Sequence, residues 1–418
     1  MLSLFYRYYN GRCSEELASL IPSAPVHSRE TRQTRAQHLY TVDICHMRTG
    51  GFFDSFLCST ARLWNDLPAS VFPPSYNMGL FKTNVHSFLS SKRPSTQKLQ
   101  KCCKIGEGVY GEVFLYKNED DPTNPIVMKV IPIEGTQLVN GDHQKKFEEI
   151  ISEIVIAMEL SDLRNNEENN TLGFNKVNRV RCVKGRYPDR LVELWELYDE
   201  LKGSENDCPT LFDAGQLFII LELANGGKDL EAFKFTTAEQ SYYLFFQIAF
   251  ALAVAEEAFQ FEHRDLHWGN VLISFAEKAV TYKLRGEPYS IPTAGVLGNI
   301  IDFTLSRVSV PASHTIYNDL AKDPDLFAAE GDYQFEIYRL MRQKNGNLWQ
   351  HFEPYTNILW LHYTLDKMIT ALRYERADTC VHGIFISKLQ YLKEKILPNL
   401  LLLFLLNPYY NLQDSVAK

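Results

Sequence analysis

His263-Arg264-Asp265-Leu266-His267-Trp268-Gly269-Asn270 stands between a long amphipathic run and the short apolar stretch Val271-Leu272-Ile273. In the run, residues 238–261, Phe245, Ile248, Leu252, Ala255 and Phe259 recur at intervals of three or four, which predicts a helix with a buried face. The stretch after it reads as a short buried strand. The loop joining them presents one carboxylate, Asp265, and five positions on one amide, Asn270. A carboxylate so placed can accept the proton of an attacking hydroxyl, and an amide oxygen nearby can help hold a metal that neutralises phosphate charge. A polar loop that merely caps a helix would look the same, so the rest of the chain has to decide.

Upstream, Lys104-Ile105-Gly106-Glu107-Gly108-Val109-Tyr110-Gly111-Glu112-Val113-Phe114 reads as two strands around a G-x-G-x-x-G turn. Glycines let a backbone approach phosphates and adopt positive φ. A dinucleotide-binding turn needs a helix directly afterwards, whereas residues 112–116 are β-rich. Ile126-Val127-Met128-Lys129-Val130-Ile131 is an apolar strand interrupted by one lysine, which is costly to bury unpaired. Phe147, Ile150, Ile151, Ile154 and Met158 predict the helix that follows, and Glu153 lies within that stripe between Ser152 and Ile154. Glu153 is therefore preferred to Glu148 or Glu149 as the partner of Lys129. Residues 161–210 are polar and mixed, with an exposed loop expected at 165–170. Residues 217–223 read as a buried strand ending in a hinge, Ala224-Asn225-Gly226-Gly227, whose backbone groups can read an adenine edge. Asp229 and Glu231 follow at its mouth. Asp302 comes directly after the apolar pair Ile300-Ile301.

His263-Arg264-Asp265-Leu266 with Asn270 resembles the H-R-D-L-x-x-x-N loop of protein kinases, and Asp302-Phe303-Thr304 stands where their D-F-G metal ligand stands. Further segments make the resemblance specific. They include Ile133-Glu134-Gly135, Leu138-Val139-Asn140-Gly141, Phe147-Glu148-Glu149-Ile150 and Leu252-Ala253-Val254-Ala255-Glu256. Downstream come Asp302-Phe303-Thr304-Leu305-Ser306-Arg307, Gly331-Asp332-Tyr333-Gln334-Phe335-Glu336-Ile337-Tyr338-Arg339 and Asn357-Ile358-Leu359-Trp360-Leu361-His362-Tyr363. Together these are similar to the haspin family of divergent eukaryotic protein kinases over about 98–372, and the resemblance fades after Arg373.

The resemblance implies an α+β, two-lobed protein-kinase-like fold. A small β-rich lobe (96–223) and a hinge (224–227) precede a larger helical lobe (228–418), with an unrelated extension at 1–95. It implies a catalytic set of Asp265 as base, Lys129 on the phosphates, Glu153 orienting that lysine, and Asn270 and Asp302 as Mg²⁺ ligands. The ATP site would be lined by Ile105, Gly106, Glu107, Gly108, Gly111, Val113, Lys129, Glu222, Leu223, Ala224, Asn225, Gly226, Asp229, Asn270 and Asp302. Thr304 in place of glycine, and the lack of an A-P-E triplet, match the family's activity without activation-loop phosphorylation. The implied substrate is a threonine in the basic tail of histone three. Asp229, Glu231, His267, Asp323, Asp325 and Asp332 would face that peptide, within an acidic stretch that also holds Asp319 and Glu330. A monomer in the nucleus is implied, chromosome-associated in mitosis and with a cytoplasmic pool, touching chromatin only indirectly and binding neither specific nucleic-acid sequence nor membrane.

Three other readings compete. Asp265-Leu266-His267 with Gly269-Asn270 is also similar to the loop of aminoglycoside and choline kinases, although Arg264 replaces their glycine. An inactive pseudokinase or fusion product is the second, against which every phosphotransfer residue is present. A zinc site at His263 and His267 is the third, and it lacks the glutamate of H-E-x-x-H. His263 and Arg264 are expected to be structural.

The net charge of −8 is uneven: residues 1–95 hold 10 Lys/Arg against 6 Asp/Glu, and the remainder 33 against 45. An acidic body suits a basic partner and disfavours broad binding to a phosphate backbone. In the extension, Ala61-Arg62-Leu63-Trp64-Asn65-Asp66-Leu67-Pro68-Ala69-Ser70, continuing to Phe88-Leu89, resembles the C-terminal tail of LINE-type retrotransposon reverse transcriptases, without their polymerase aspartates. That makes it a transposon-derived or mispredicted segment with no catalytic role. The eight cysteines form no C-x-x-C pair, so a reducing compartment is expected. No secretory signal is expected at the start, and residues 400–406, apolar but far short of a membrane span, read as a buried helix.

Overall fold

The computed structural model describes residues 64, 67–91, 102–108, 111–117, 124–309 and 315–397. Residues 400–406 lie outside them, as does most of the extension. The chain falls into two units, the first ending at Gln97 and the second beginning at Lys98. In the first, buried Trp64, Phe72 and Phe81 pack ring to ring with centroids 4.7–5.7 Å apart. Helix α1 (Met78–Ser91) starts where the Asn77 side chain accepts the Leu80 N–H at 2.9 Å.

The second unit begins with five antiparallel strands, β1 (Cys102–Gly108), β2 (Gly111–Tyr116), β3 (Ile126–Ile133), β4 (Val177–Lys184) and β5 (Leu217–Ala224), in the order β1-β2-β3-β5-β4. Strand alternation decides what each face meets. Met128 and Val130 join Phe114 and Phe218 on one face, packed against Tyr187, Leu191, Leu194 and Phe212. Ile131 and Ile133 join Ile219 and Leu221 on the other, packed against Ile150 and Ile154 of α2 (Phe147–Asp162). Lys129 shares the second face, so its side chain is sent toward α2 by register alone.

Residues 161–210 are more ordered than the sequence suggested. They contain β4 and a helix, α3 (Asp189–Lys202), whose buried Leu191, Leu194 and Trp195 close the outer face of the sheet. Their spacing was a helical signal diluted by the charges between them. Phe147, expected in the apolar stripe of α2, stands at its first turn and is 37 % exposed.

The larger lobe is built on α4 (Ala238–Phe259), which is long and apolar enough to cross a membrane, yet 78 % of its apolar window is buried inside the domain. Around it lie β6 (Lys228–Asp229), β7 (Lys234–Phe235), β8 (Val271–Phe275), a hairpin of β9 (Val280–Leu284) and β10 (Glu287–Ile291), and β11 (Val296–Ile300). Strands β12 (Arg307–Ser309) and β13 (Thr315–Tyr317) pair next, followed by α5 (Asp325–Ala328), α6 (Tyr333–Lys344) and α7 (Tyr355–Thr370). Strand β14 (Arg373–Tyr374) and α8 (Cys380–Ile396) complete it.

Residues 170–175, assigned to the small lobe, are bonded into the large one: Ile300 N–H donates to the Gly173 carbonyl at 2.8 Å, and Asn175 N–H to the Ile300 carbonyl at 3.1 Å. A Cβ at Gly173 would stand 2.5 Å from that of Ala251 on α4, so this approach requires glycine.

Glu256 of α4 makes stability depend on pH. Burial raises its carboxyl from 4.5 to about 8, with Glu262 pushing the same way against a bond from Asn357. A folded-state value above the unfolded one stabilises fully below pH 4.5, and that contribution is lost as pH rises to about 8. E256Q keeps the acceptor for Asn357 and removes the proton. Denaturant melts should show E256Q more stable than the parent by roughly 1–3 kcal/mol at alkaline pH, with the gain shrinking toward acid.

Candidate active site

Register brings Lys129 to Glu153, whose Oε1 lies 3.3 Å from the ammonium. That carboxylate, and more weakly Asp302, raise the lysine's pKa against the opposing effect of burial. The other two glutamates are accounted for: Glu149 caps α2 by accepting the Lys146 N–H at 2.6 Å, and Glu148 is exposed. In the glycine hairpin, the position a Cβ would take is open at Gly106 and Gly108, whereas at Gly111 it would lie 2.3 Å from the Val130 carbonyl. The first two glycines leave a turn that phosphates can approach; the third is required by the sheet. Ile105 is exposed and Val113 half-buried on the flanking strands.

Two residues expected at the nucleotide are occupied elsewhere. The Glu107 carboxylate accepts from Lys104 Nζ at 2.5 Å, Ser204 Oγ at 2.7 Å and the Glu205 N–H at 2.9 Å, so it anchors the hairpin to the segment after α3. Glu222 pairs through its backbone with Met128 and Arg179 on both sides, and its side chain is held by Arg181. A residue inside a central strand has no backbone groups left for adenine. At the hinge, Ala224 donates its N–H to the Lys176 carbonyl at 2.9 Å and its own carbonyl accepts from Asn175 Nδ2 at 3.1 Å. Asn225 and Gly226 lie just past the ladder. Gly227 adopts φ 95° with its missing Cβ 1.9 Å from the Ile273 carbonyl.

On the opposite wall, the loop after α4 is held from beneath. Arg264, fully buried with φ 66°, bonds Glu262 through Nε at 3.1 Å and Nη2 at 3.0 Å, and the Trp349 carbonyl at 2.7 Å. Burial lowers the His263 pKa to about 4, so the ring is neutral. Its Nδ1 accepts the Asp265 N–H at 3.3 Å, which leaves Nε2 to donate to the Ile301 carbonyl at 3.1 Å. Both residues are struts, and His263 has no nitrogen to spare for zinc.

Asp265 is clasped from two sides. Tyr338 of α6 donates its hydroxyl to Oδ1, and Asn270 Nδ2 reaches the Asp265 carbonyl at 2.8 Å and Oδ2 at 3.4 Å. Burial raises the Asp265 carboxyl to about 7, Asp302 adding to the rise and the Tyr338 and Asn270 bonds opposing it. A base of that strength suits proton abstraction near neutral pH. With its amide nitrogen committed, Asn270 has Oδ1 left for a cation. Burial alone would raise the Asp302 carboxyl, but Lys129 and Thr304 outweigh it and hold it below the ordinary value. An amide oxygen and a carboxylate form an all-oxygen donor set that fits a hard dication such as Mg²⁺, and the Lys129 ammonium beside them fits ATP phosphates.

The acidic residues proposed for a peptide divide. Asp229 Oδ1 accepts the Ala232 N–H at 2.7 Å, and Glu231 is exposed. Glu231, Asp332 and Asp265 all act on the Tyr363 hydroxyl, whose pKa is raised by burial first and by those carboxylates next. Asp332 is already engaged, capping α6 through the Gln334 N–H at 3.0 Å and pairing with Lys367 at 2.5 Å. His267 Nδ1 accepts the Gly269 N–H at 3.1 Å; burial lowers its pKa against Asp302 and Asp332. Asp323 and Asp325 are exposed at the start of α5. Tyr338 was not foreseen; its spacing from Tyr333 and Ile337 marks only a helix face. Lys104 also escaped notice, lying in a strand with no charge beside it.

A family model described as "Haspin like kinase domain" matches residues 82–400, beginning inside α1. The serine/threonine-protein kinase haspin homolog of Drosophila melanogaster is 46% identical over 305 residues, covering 72% of this chain and 54% of that protein. Serine/threonine-protein kinase haspin of Mus musculus is 49% identical over 284 residues, 67% of this chain and 37% of its own length. The Arabidopsis thaliana homolog is 39% identical over 280 residues, 66% and 45%. The chain thus spans about half or less of these relatives.

The glycine hairpin rests on a buried ammonium. Lys104 Nζ lies 2.8 Å from Glu112 and 3.8 Å above the Tyr198 ring, with no side-chain exposure. K104M should cost about 3–5 kcal/mol by leaving Glu112 buried without its cation, and K104M/E112L should recover most of it. Equal denaturation midpoints for the parent and K104M would refute this.

Proposed function

The chain belongs to the haspin kinase family, and from that premise we propose that it transfers the γ-phosphoryl group of ATP to a threonine in the basic amino-terminal tail of histone three. The observation that carries the reading is the convergence of Lys129, Glu153, Asp265, Asn270 and Asp302 on one cleft, linked by the bonds and charge interactions described above. Lys129, held by Glu153, grips the nucleotide phosphates beneath the end of β1 at Gly106 and Gly108. Asp265, oriented by Tyr338 and Asn270, takes the proton of the substrate hydroxyl. Asn270 and Asp302 would hold Mg²⁺, which supplies charge neutralisation at the phosphates. Catalysis is then mostly positioning and electrostatics, so the lysine and the metal-binding aspartate matter as much as the base.

Substrate choice rests on charge. Glu231 and Asp229 just after the hinge, with exposed Asp323 and Asp325, suit arginine and lysine flanking the acceptor threonine. His267 and Asp332 would act chiefly by shaping the loop between them. The same reading places the protein in the nucleus, on mitotic chromosomes, acting as a monomer with Mg²⁺ and ATP.

The test is phosphate transfer from labelled ATP to a histone-three tail peptide, with choline and an aminoglycoside as rival acceptors. D265N and D302N should each lower kcat by about 10²–10⁴-fold while the fold melts normally, and K129M should lower it as far. Replacing the peptide's basic residues with alanine should raise KM. Transfer to the small molecules but not the peptide, or a fully active D265N, would defeat the proposal.

A further inference from the structure

The residue that follows Asp302-Phe303 differs chemically from the glycine usual there, and its side chain touches both walls of the site. Thr304 Oγ1 lies 2.7 Å from Asp302 Oδ1 and 3.3 Å from Glu153 Oε2, while its N–H donates to the same Asp302 oxygen at 3.2 Å. The second oxygen of Glu153 holds Lys129 at 3.3 Å. Glu153 thus uses one carboxylate oxygen on the small lobe's lysine and directs the other at the large lobe's metal-binding segment. Two carboxylates brought this close repel unless donors stand between them. The donors here are the Lys129 ammonium and the Thr304 hydroxyl, and a glycine would leave only the first.

Resting on the phosphotransfer reading above, we propose that Thr304 is a positioning residue whose hydroxyl couples Glu153 to Asp302 and so keeps α2 seated against the site. In kinases generally the Lys–Glu pair and the metal-binding aspartate must both be in place, and activation-loop phosphorylation commonly controls this. Here a single side chain ties the two together without any modification. The hydroxyl has one proton: at 2.7 Å it belongs to Asp302, and rotation about its C–O bond presents it to Glu153. One proton serves one acceptor at a time: given to Asp302 it fixes that carboxylate, and given to Glu153 it draws α2 inward while the Thr304 N–H keeps hold of Asp302.

The experiment compares T304V, which keeps the shape and loses the hydroxyl, with T304S, which keeps the hydroxyl and loses the methyl. In protein without nucleotide or metal, amide hydrogen exchange across residues 147–162 should be ~3–10-fold faster in T304V than in the parent, and close to the parent in T304S. With ATP and peptide, T304V should lose about tenfold in kcat with a smaller change in KM for peptide, and T304S should recover most of it. If T304V does not fold, T304A against T304S asks the same question. Parental exchange in the hydroxyl-less variant, or T304S behaving like it, overturns the inference. Faster exchange in T304V, alongside a parent that phosphorylates no tail peptide, would leave the brace standing and remove the proposed substrate instead.

Discussion

Glu262 is the residue on which the catalytic loop depends. Entirely buried, it accepts Arg264 through both carboxylate oxygens, the Thr356 hydroxyl at 2.9 Å and the Glu353 N–H at 3.0 Å. Its backbone exchanges bonds with Arg307 in both directions at 2.9 Å. A buried carboxylate is tolerable only with its lone pairs filled and its charge opposed, and here both conditions hold. The result is a rigid platform joining α7, the start of β12 and the loop itself, from which Asp265 is presented. Arg264 sits in the left-handed region because Glu262 and the Trp349 carbonyl hold its guanidinium inward. A guanidinium spent this way is closed to an activation-loop phosphate, the anion such an arginine would otherwise recruit.

The two walls of the cleft are built by different means. The small lobe relies on strand parity: Lys129 faces α2 because Ile131 and Ile133 must, and Glu153 faces the sheet because Ile150 and Ile154 must. The large lobe relies on buried polar bonds, with His263, Asn357 and Ser306 closing on the loop's backbone. Apolar periodicity places the first set cheaply and tolerates substitution. The second is specific and fails if a single partner is removed.

This division explains what was legible in the sequence. Strand and helix periods located Lys129 and Glu153 as a pair, and motif spacing located Asp265, Asn270 and Asp302. Both signals depend on neighbours within a few positions. Tyr338 reaches Asp265 across 73 residues, and Lys104 reaches Tyr198 across more, so no local pattern announces either. Position in a motif says nothing about where a long side chain points, and Glu107 and Glu222 are cases of it. In the first, two donors from the segment after α3 and Lys104 of its own strand capture the carboxylate; in the second, the ladder and Arg181 do. Residues 161–210 were underestimated because surface charge masked a helix whose apolar face meets only one side of a sheet.

The bonds from Gly173 and Asn175 to Ile300 give the two lobes a second attachment beside the covalent one at Gly226-Gly227. A body pinned at one point can swivel in any direction; pinned at two, it turns only about the line between the pins. Asn170 and Lys283 exchange backbone bonds at 2.9 Å beside them, so the segment between α2 and β4 is held in the large lobe's frame and restricts how the small lobe can turn.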